Sequence, residues 1–196
     1  VNAGNAVTTG IQNTLVGSLA GDALTDADQN VAIGASALTT DTLGTGSVAI
    51  GYAALNEQNF TTATTTYNIA IGYKAGETLA TGVRNTLIGG LAGDALTNSG
   101  SNVAIGYNSM TTNTSGSDNV AVGRGTLENF NVTTTTSTYN VAIGHEAGND
   151  ITTGVNNTLI GGLAGDALTT AGNNVAVGYQ AHSSDDLGSR NVSVGT

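Results

Sequence analysis

A five-residue motif, Asn-Val-Ala-Ile-Gly, recurs along the whole chain and limits the folds that the chain can adopt. It appears unchanged at residues 30–34, 102–106 and 140–144, and with small changes at eight other places. The interval between the first residues of successive motifs is 17, except at two places where it is 21, and the longer interval returns after every four motifs. Such fixed self-similarity is typical of architectures in which each repeat stacks on its neighbours.

Each motif predicts a short β-strand. Bulky Val31 and Ile33 flank small Ala32, which is the alternation expected of a strand with two different faces. Because a 17-residue period is too short for a helical hairpin, we expect an all-β fold. The prediction is a parallel β-solenoid of 17-residue coils with a 21-residue coil at every fourth turn, so that four coils make one unit. Strands about 4.8 Å apart would give a rod of roughly 50 Å. A second straight segment and a polar turn should complete each coil.

A glycine follows the strand in every motif, and a small side chain follows three residues later in every complete coil. Glycine at a fixed place after a strand predicts a turn with positive φ or close backbone packing. The recurring small residue indicates a narrow coil interior. The turn glycines so predicted include Gly34, Gly72, Gly106, Gly144 and Gly178.

Asparagine opens ten of the eleven motifs, and Ser47 opens the other. Stacked side-chain amides can hydrogen-bond from coil to coil, as in cross-β stacks, and so satisfy polar groups in a thin core. We therefore predict an internal ladder along the rod. Its members are Asn13, Asn30, Asn68, Asn85, Asn102, Asn119, Asn140, Asn157, Asn174 and Asn191.

The charge balance bears on possible partners. The net charge is −10, and the four cationic residues are scattered, whereas binding to nucleic acid needs clustered Lys and Arg. No apolar run approaches the roughly 20 residues that span a bilayer. We therefore expect no contact with nucleic acid or membrane. The absence of Cys excludes disulfides and Cys-based metal sites.

The whole chain, residues 1–196, is expected to form one repetitive segment. Val1 aligns with Tyr73 and Thr196 with Tyr52, so both ends fall in mid-coil, just after a motif glycine. Solenoids need caps over their open edges, and none is recognisable. We therefore expect an uncapped piece of a longer fibre.

The 21-residue coils carry their extra length as Thr-rich excursions at residues 59–67 and 131–139. Insertions in solenoids often map to a binding face, so these loops could contact a glycan, a protein receptor or a neighbouring chain. The alternative is a solvated loop that only thickens the rod, and the sequence favours that alternative. The candidate contact residues are Asn59, Phe60, Thr61, Thr62, Tyr67, Asn131, Thr133, Thr134 and Tyr139.

Other polar residues give weaker patterns. Asp22, Asp94 and Asp166 follow glycine, but calcium-binding β-rolls need Asp in consecutive coils and here it returns every fourth coil. Turn Asp is the preferred interpretation. His145 should face solvent and His182 should pack against the roll. With no Cys and no Ser–His pairing apparent, neither catalysis nor a metal or other cofactor is expected.

Tyrosine follows the motif glycine in four coils. A row of exposed rings could stack on sugars, but packing over the corners of neighbouring coils is the preferred interpretation. Ice binding would need a flat Thr array on every coil, whereas the Thr runs concentrate in the long coils. The tyrosines concerned are Tyr52, Tyr73, Tyr107 and Tyr179.

The tandem NVAIG and SVAIG motifs, the small residue three places on and the Gly/Ser/Thr-rich return resemble the head repeats of YadA-type trimeric autotransporter adhesins. Similar repeats occur in phage and marine-virus tail fibres. The resemblance covers the whole chain, although typical head repeats are shorter than the repeats of this chain. It implies a left-handed parallel β-roll, three chains side by side, exposure on a cell surface through an outer-membrane anchor or on a virion, and a role in attachment.

The orientation of the Val-Ala-Ile segment bears on the oligomeric state. If the bulky side chains point inward, a monomer suffices. If the small ones do, the Val and Ile side chains form an apolar stripe that another chain must cover. The narrow interior favours the second arrangement and hence a side-by-side homotrimer. We expect a non-catalytic extracellular fibre segment for adhesion, acting as stalk and presentation surface. The alternative is a structural filament that assembles end to end without a receptor.

Overall fold

A computed structural model describes residues 2–195 and confirms an all-β, parallel β-solenoid of eleven coils. Val1 and Thr196, predicted to end the chain in mid-coil, lie outside the described residues. Within residues 2–195 there is no helix, and so none long and apolar enough to cross a membrane.

One three-residue strand from each coil joins a single 11-stranded sheet. Two further sheets contain two short strands each and lie beside the long coils. The strands of the large sheet are β1 (Thr14–Val16), β2 (Val31–Ile33), β4 (Val48–Ile50), β6 (Ile69–Ile71), β7 (Thr86–Ile88), β8 (Val103–Ile105), β10 (Val120–Val122), β12 (Val141–Ile143), β13 (Thr158–Ile160), β14 (Val175–Val177) and β15 (Val192–Val194). The small sheets pair β3 (Gly44–Thr45) with β5 (Thr64–Thr65), and β9 (Gly116–Ser117) with β11 (Thr136–Ser137).

Equivalent motif positions face each other along the entire sheet. Val31 pairs with Val48 across a short coil, and Val48 pairs with Ile69 across a long coil, in the same parallel register. The four additional residues of a long coil are therefore accommodated outside the sheet. As a result, every side-chain column runs straight through both kinds of coil.

The middle residue of each strand points into the coil interior. Ala32 and Ala104 are fully buried, as are Leu87 and Leu159, which occupy the same place in two other strands. The small residue three places after the motif glycine, such as Ala37, is buried as well. Of the two arrangements left open by the sequence, the structure has the middle residue facing inward, Ala in seven strands, Leu in three and Ser in one, with the Val and Ile side chains on the outer side.

The motif glycines stack directly on one another. Their φ angles lie between 122° and 140°, outside the left-handed helical region that other residues can adopt. A Cβ built on Gly89 would lie 2.5 Å from the carbonyl oxygen of Gly106 in the next coil. Both causes foreseen from the sequence, positive φ and close backbone approach, therefore act at this position.

The segment after each glycine is a succession of turns rather than the predicted second straight segment. Leu19 and Gly21 both have φ of 59°, and equivalent residues of other coils have similar angles. A non-glycine residue in this conformation costs roughly 1–2 kcal/mol. The chain accepts that cost because backbone hydrogen bonds link each turn to the next coil, as from Gly21 N–H to Ala37 O at 2.9 Å.

Candidate functional site

The outward side of the large sheet, which we call the Val/Ile face, presents the first and third residues of all eleven strands. All of these residues are Val or Ile except Thr14, Thr86 and Thr158, which open every fourth strand of the sheet. None is charged and none is fully buried. With strands about 4.8 Å apart, the face extends for roughly 50 Å along the rod.

The exposure of the Val/Ile face is substantial even in inner coils. Ile33, Ile143 and Val177 are between 36% and 39% exposed, although each is flanked by equivalent side chains above and below. Contiguous exposed apolar surfaces of this length are typical of interaction sites.

A row of planar side chains follows the Val/Ile face at the position after the motif glycine. The rings of Tyr52 and Tyr73 stack with centroids 5.6 Å apart, and Lys74 Nζ lies 5.8 Å from the Tyr73 centroid. Tyr107 lies over the preceding coil, with its ring 3.4 Å from where a Cβ on Gly90 would be. These tyrosines remain about half exposed, so they both pack on neighbouring coils and form part of the surface.

The same row carries the exposed Arg124 and His145 in adjacent coils. Arg124 Nε donates to His145 Nε2 at 3.0 Å, and its Nη2 donates to Glu146 Oε1 at 2.6 Å. His145 faces solvent, at 52% side-chain exposure. The pair therefore continues the planar row without leaving the Arg124 charge unpartnered.

The motif asparagines form one buried column with two kinds of hydrogen bond. Asn102 Oδ1 accepts from the backbone N–H of Asn119 at 3.0 Å and from Asn119 Nδ2 at 3.1 Å. Asn102 Nδ2 donates across the interior to Gly116 O at 3.0 Å. Bonds from backbone N–H to side-chain oxygen recur along the column, whereas bonds between side-chain amides occur at only some steps. The ladder therefore also links the start of each strand to a backbone carbonyl near the end of the same coil.

A buried polar cluster surrounds Ser47, which opens the one motif that does not begin with Asn. Gln58 Nε2 donates to Ser47 Oγ at 2.9 Å and to the fully buried Asp41 at 2.6 Å, while Gln58 Oε1 accepts from Asn68 Nδ2 at 2.9 Å. Asp41 Oδ1 also accepts from the backbone N–H of Phe60 at 2.9 Å. Sequence reasoning missed this cluster; the signal that could have found it is the Ser at a position that otherwise holds Asn.

The equivalent place in the second four-coil unit is built differently. Asn113, Asn119 and Phe130 replace Asp41, Ser47 and Gln58. Phe130 is fully buried, and Asn119 Oδ1 accepts from Thr138 Oγ1 at 2.8 Å. The same buried place is therefore filled by a polar side chain in the first long coil and by an apolar side chain in the second.

The first Thr-rich excursion, residues 59–67, rises from the rod as a bulge. Asn59, Thr61 and Thr62 are exposed, and Tyr67 is 65% exposed. Phe60, predicted as a contact residue, is only 7% exposed and anchors the base of the bulge instead. Strand β5 ties the far side of the bulge to the preceding coil.

The second bulge, residues 131–139, has the same form. Thr133 and Thr134 are exposed, and Tyr139 is 59% exposed. Asn131 is half-buried because its Oδ1 accepts from Thr114 Oγ1 at 2.9 Å. Asn131 is therefore engaged with the rod, while the Thr residues and Tyr139 remain available.

The repeated aspartates lie in one column, four coils apart. At about 4.8 Å per coil, Asp94 and Asp166 are far too distant to share an ion. Burial raises the pKa of both carboxyl groups, and for Asp94 a hydrogen bond from Thr111 opposes the shift. Within residues 2–195 no three His, Asp or Glu residues are arranged to hold a metal.

The side chain of His182 is only 10% exposed and lies beside Ser193, a pairing that the sequence did not suggest. Its Nδ1 lies 3.0 Å from Ser193 Oγ, and its Nε2 lies 3.8 Å from Asp185 Oδ2. Ser193 occupies the inward position of β15, which holds Ala or Leu in the other strands. A space of about 590 Å³ lies beside the pair.

Comparisons with family models, with curated proteins and with solved structures find no match to this chain.

Proposed function

We propose that this chain is a non-catalytic segment of an extracellular fibre, on a cell or virion surface, that associates side by side as a homotrimer and serves in attachment. The observation that carries the proposal is the Val/Ile face. Its uncharged side chains run the length of the rod, and at about 25 cal/mol per Å² of apolar surface buried their removal from water favours association.

The geometry of the sheet supports side-by-side association of parallel rods over their full length. Because every strand is in register with the next, the apolar columns are straight and can be covered along their length by a second straight column. The resemblance to trimeric adhesin heads, drawn from the motifs, suggests three copies. The bulges would then project as presentation surfaces.

Light scattering of the purified chain tests the association. We expect a discrete mass of three times the 19.3 kDa chain, unchanged over a wide concentration range. Growth with concentration into linear assemblies would instead support the end-to-end filament. A stable monomer would overturn the side-by-side proposal.

Charged substitutions test whether the Val/Ile face is the interface. Replacing Ile88 and Val122, two coils apart, by Glu should produce monomers. The Thr62→Glu/Thr134→Glu variant adds the same charge on the bulges and should keep the native mass. If the Glu variant does not fold, Ile88→Thr/Val122→Thr is the milder test, because Thr86 already occupies this face. Unchanged association in both face variants would show that another surface is used.

A further inference from the structure

A polar cleft of about 290 Å³ lies beside the second bulge. Its floor includes residues of the corner column, the name that we give to the residues that immediately precede successive motifs. Side chains of the second bulge form one wall. The polar residues that line the cleft include Thr81, Arg84, Ser101, Asp118, Thr135 and Ser137.

The cleft carries two unpaired charges of opposite sign. Arg84 and Asp118 lie two coils apart in the corner column, or about 10 Å along the rod. Within residues 2–195 neither lies within 4.0 Å of an opposite charge. Arg84 Nε makes one long bond, 3.4 Å, to Ser101 Oγ, and Asp118 Oδ2 accepts from Ser137 Oγ at 2.5 Å. The Arg84 guanidinium therefore retains unused donors, and Asp118 retains acceptor capacity.

Exposed tyrosines stand at both ends of this stretch of the corner column. Tyr67 precedes Arg84 by one coil, and Tyr139 follows Asp118 by one coil. The rings are 65% and 59% exposed, and the distance between their coils is about 19 Å. Each tyrosine presents an apolar face with a polar tip to solvent.

The corresponding place beside the first bulge is chemically different. There the corner column reads Gln12, Gln29 and Gly46 where the cleft has Arg84, Ser101 and Asp118. Gln29 Nε2 donates to Gln12 Oε1 at 3.1 Å, so one hydrogen bond joins these two uncharged side chains. The backbone is equivalent, since Gln12 and Arg84 have φ of 60° and 59°. The fold therefore does not require the charges of the cleft.

We propose that this cleft binds a neutral oligosaccharide, which names the ligand class of the attachment role proposed above and rests on it. Sugar hydroxyls both donate and accept, so one can donate to the Asp118 carboxylate while another accepts from the Arg84 guanidinium. The apolar face of a pyranose ring packs on Tyr139. The cleft holds one charge of each sign, which disfavours a ligand that carries charges of only one sign, and the net charge of −10 disfavours a polyanion most of all.

The test is an NMR titration of the ¹⁵N-labelled chain with maltotriose, cellotriose, triacetylchitotriose and, as a charged probe, 3′-sialyllactose. We expect at least one uncharged trisaccharide to shift the amide signals of Ser101 and Asp118 saturably, with Kd on the order of 1 mM. The Arg84→Gln/Asp118→Gly variant reproduces residues that the first unit already uses. It should fold as the native chain does and bind at least tenfold more weakly. The matched Gln12→Ala/Gln29→Ala variant should bind normally.

Three results would overturn the proposal: no saturable shift with any uncharged sugar, saturable binding of 3′-sialyllactose alone, or undiminished binding by the Arg84→Gln/Asp118→Gly variant. Light scattering of the same samples keeps the two proposals apart. A trimer that binds no sugar removes only the cleft proposal, whereas a monomer that binds sugar removes only the side-by-side association.

Discussion

Gln58 Nε2 donates a hydrogen bond to Ser47 Oγ at 2.9 Å, at the one motif that opens with Ser instead of Asn. Gln58 Oε1 meanwhile accepts from Asn68 Nδ2 in the next coil. The amide missing from the column is therefore supplied by a side chain from further along the same coil. In the second unit Asn119 restores the column, and Phe130 fills the place of Gln58.

The different residues in the two units predict that substitutions at Asp41, Ser47 and Gln58 are energetically coupled. Gln58→Phe alone should destabilise the chain by about 2 kcal/mol or more, because it leaves the buried Asp41 carboxylate and the Asn68 amide short of a partner. The triple variant Asp41→Asn/Ser47→Asn/Gln58→Phe copies the second unit and should recover most of that loss. Urea unfolding of the single and combined variants measures the coupling, and strictly additive effects would contradict it.

Adjacent glycines should respond very differently to the same substitution. Gly89→Ala places a Cβ 2.5 Å from the Gly106 carbonyl at φ of 132°, and we expect a loss of about 3 kcal/mol or more, or failure to fold. Gly90→Ala meets the Tyr107 ring at 3.4 Å and no atom closer, and equivalent positions already hold Ala35 and Ser18. Its melting temperature should be close to that of the native chain. Similar losses in both variants would refute the stacking argument.

Removal of one ladder side chain should be costly in the middle of the rod. Asn102→Ala removes the acceptor of two bonds from Asn119 and the donor to Gly116 O. Each buried group left unsatisfied costs about 1–3 kcal/mol, so we expect a loss of about 3 kcal/mol in urea unfolding. The exposed Asn98→Ala variant controls for the substitution itself and should change stability little. Equal effects would show that the column does not support the fold.

The contribution of Asp94 to the free energy of unfolding should be more favourable in acid than at neutral pH. Burial raises the folded-state pKa of this carboxyl above its ordinary value of 3.8, so the folded state favours the protonated form. Stability from this group is thus highest below the ordinary pKa and falls as the pH rises through the raised folded-state pKa. Asp94→Asn can keep the acceptor for Thr111 Oγ1 and should raise the melting temperature at pH 7, with the gain vanishing near pH 3. The Asp22→Asn variant matches the change in net charge. A lower melting temperature for Asp94→Asn at pH 7 would contradict the assignment.

Residues repeated at a fixed spacing were predictable from the sequence. The asparagines, the glycines and the small residues such as Ala37 each recur at one place in the coil, and that place is where the structure uses them. The direction of the Val-Ala-Ile segment was also indicated by the recurring small residue at positions such as Ala37, although the same inward strand position admits Leu87 and Leu159 in other coils.

Features that do not repeat could not be found in this way. The corner column adopts positive φ with residues as different as Gln12, Tyr67 and Arg84, because neighbouring coils impose the conformation and the residue type does not. Phe60 is buried beneath an exposed bulge, since its neighbours in sequence point to solvent while it faces the core. The cleft unites residues from three coils and a bulge, so it exists only once the register is known.

The unbroken register across long and short coils has a consequence for how such a chain can change over generations. Each coil contacts only the coils next to it, and the first and second units present the same backbone to each other. Unequal recombination between the gene segments for two units would therefore add or delete one whole unit of four coils without creating a mismatched junction. Such events would change the length of the rod in steps of about 19 Å while keeping the backbone register of the sheet.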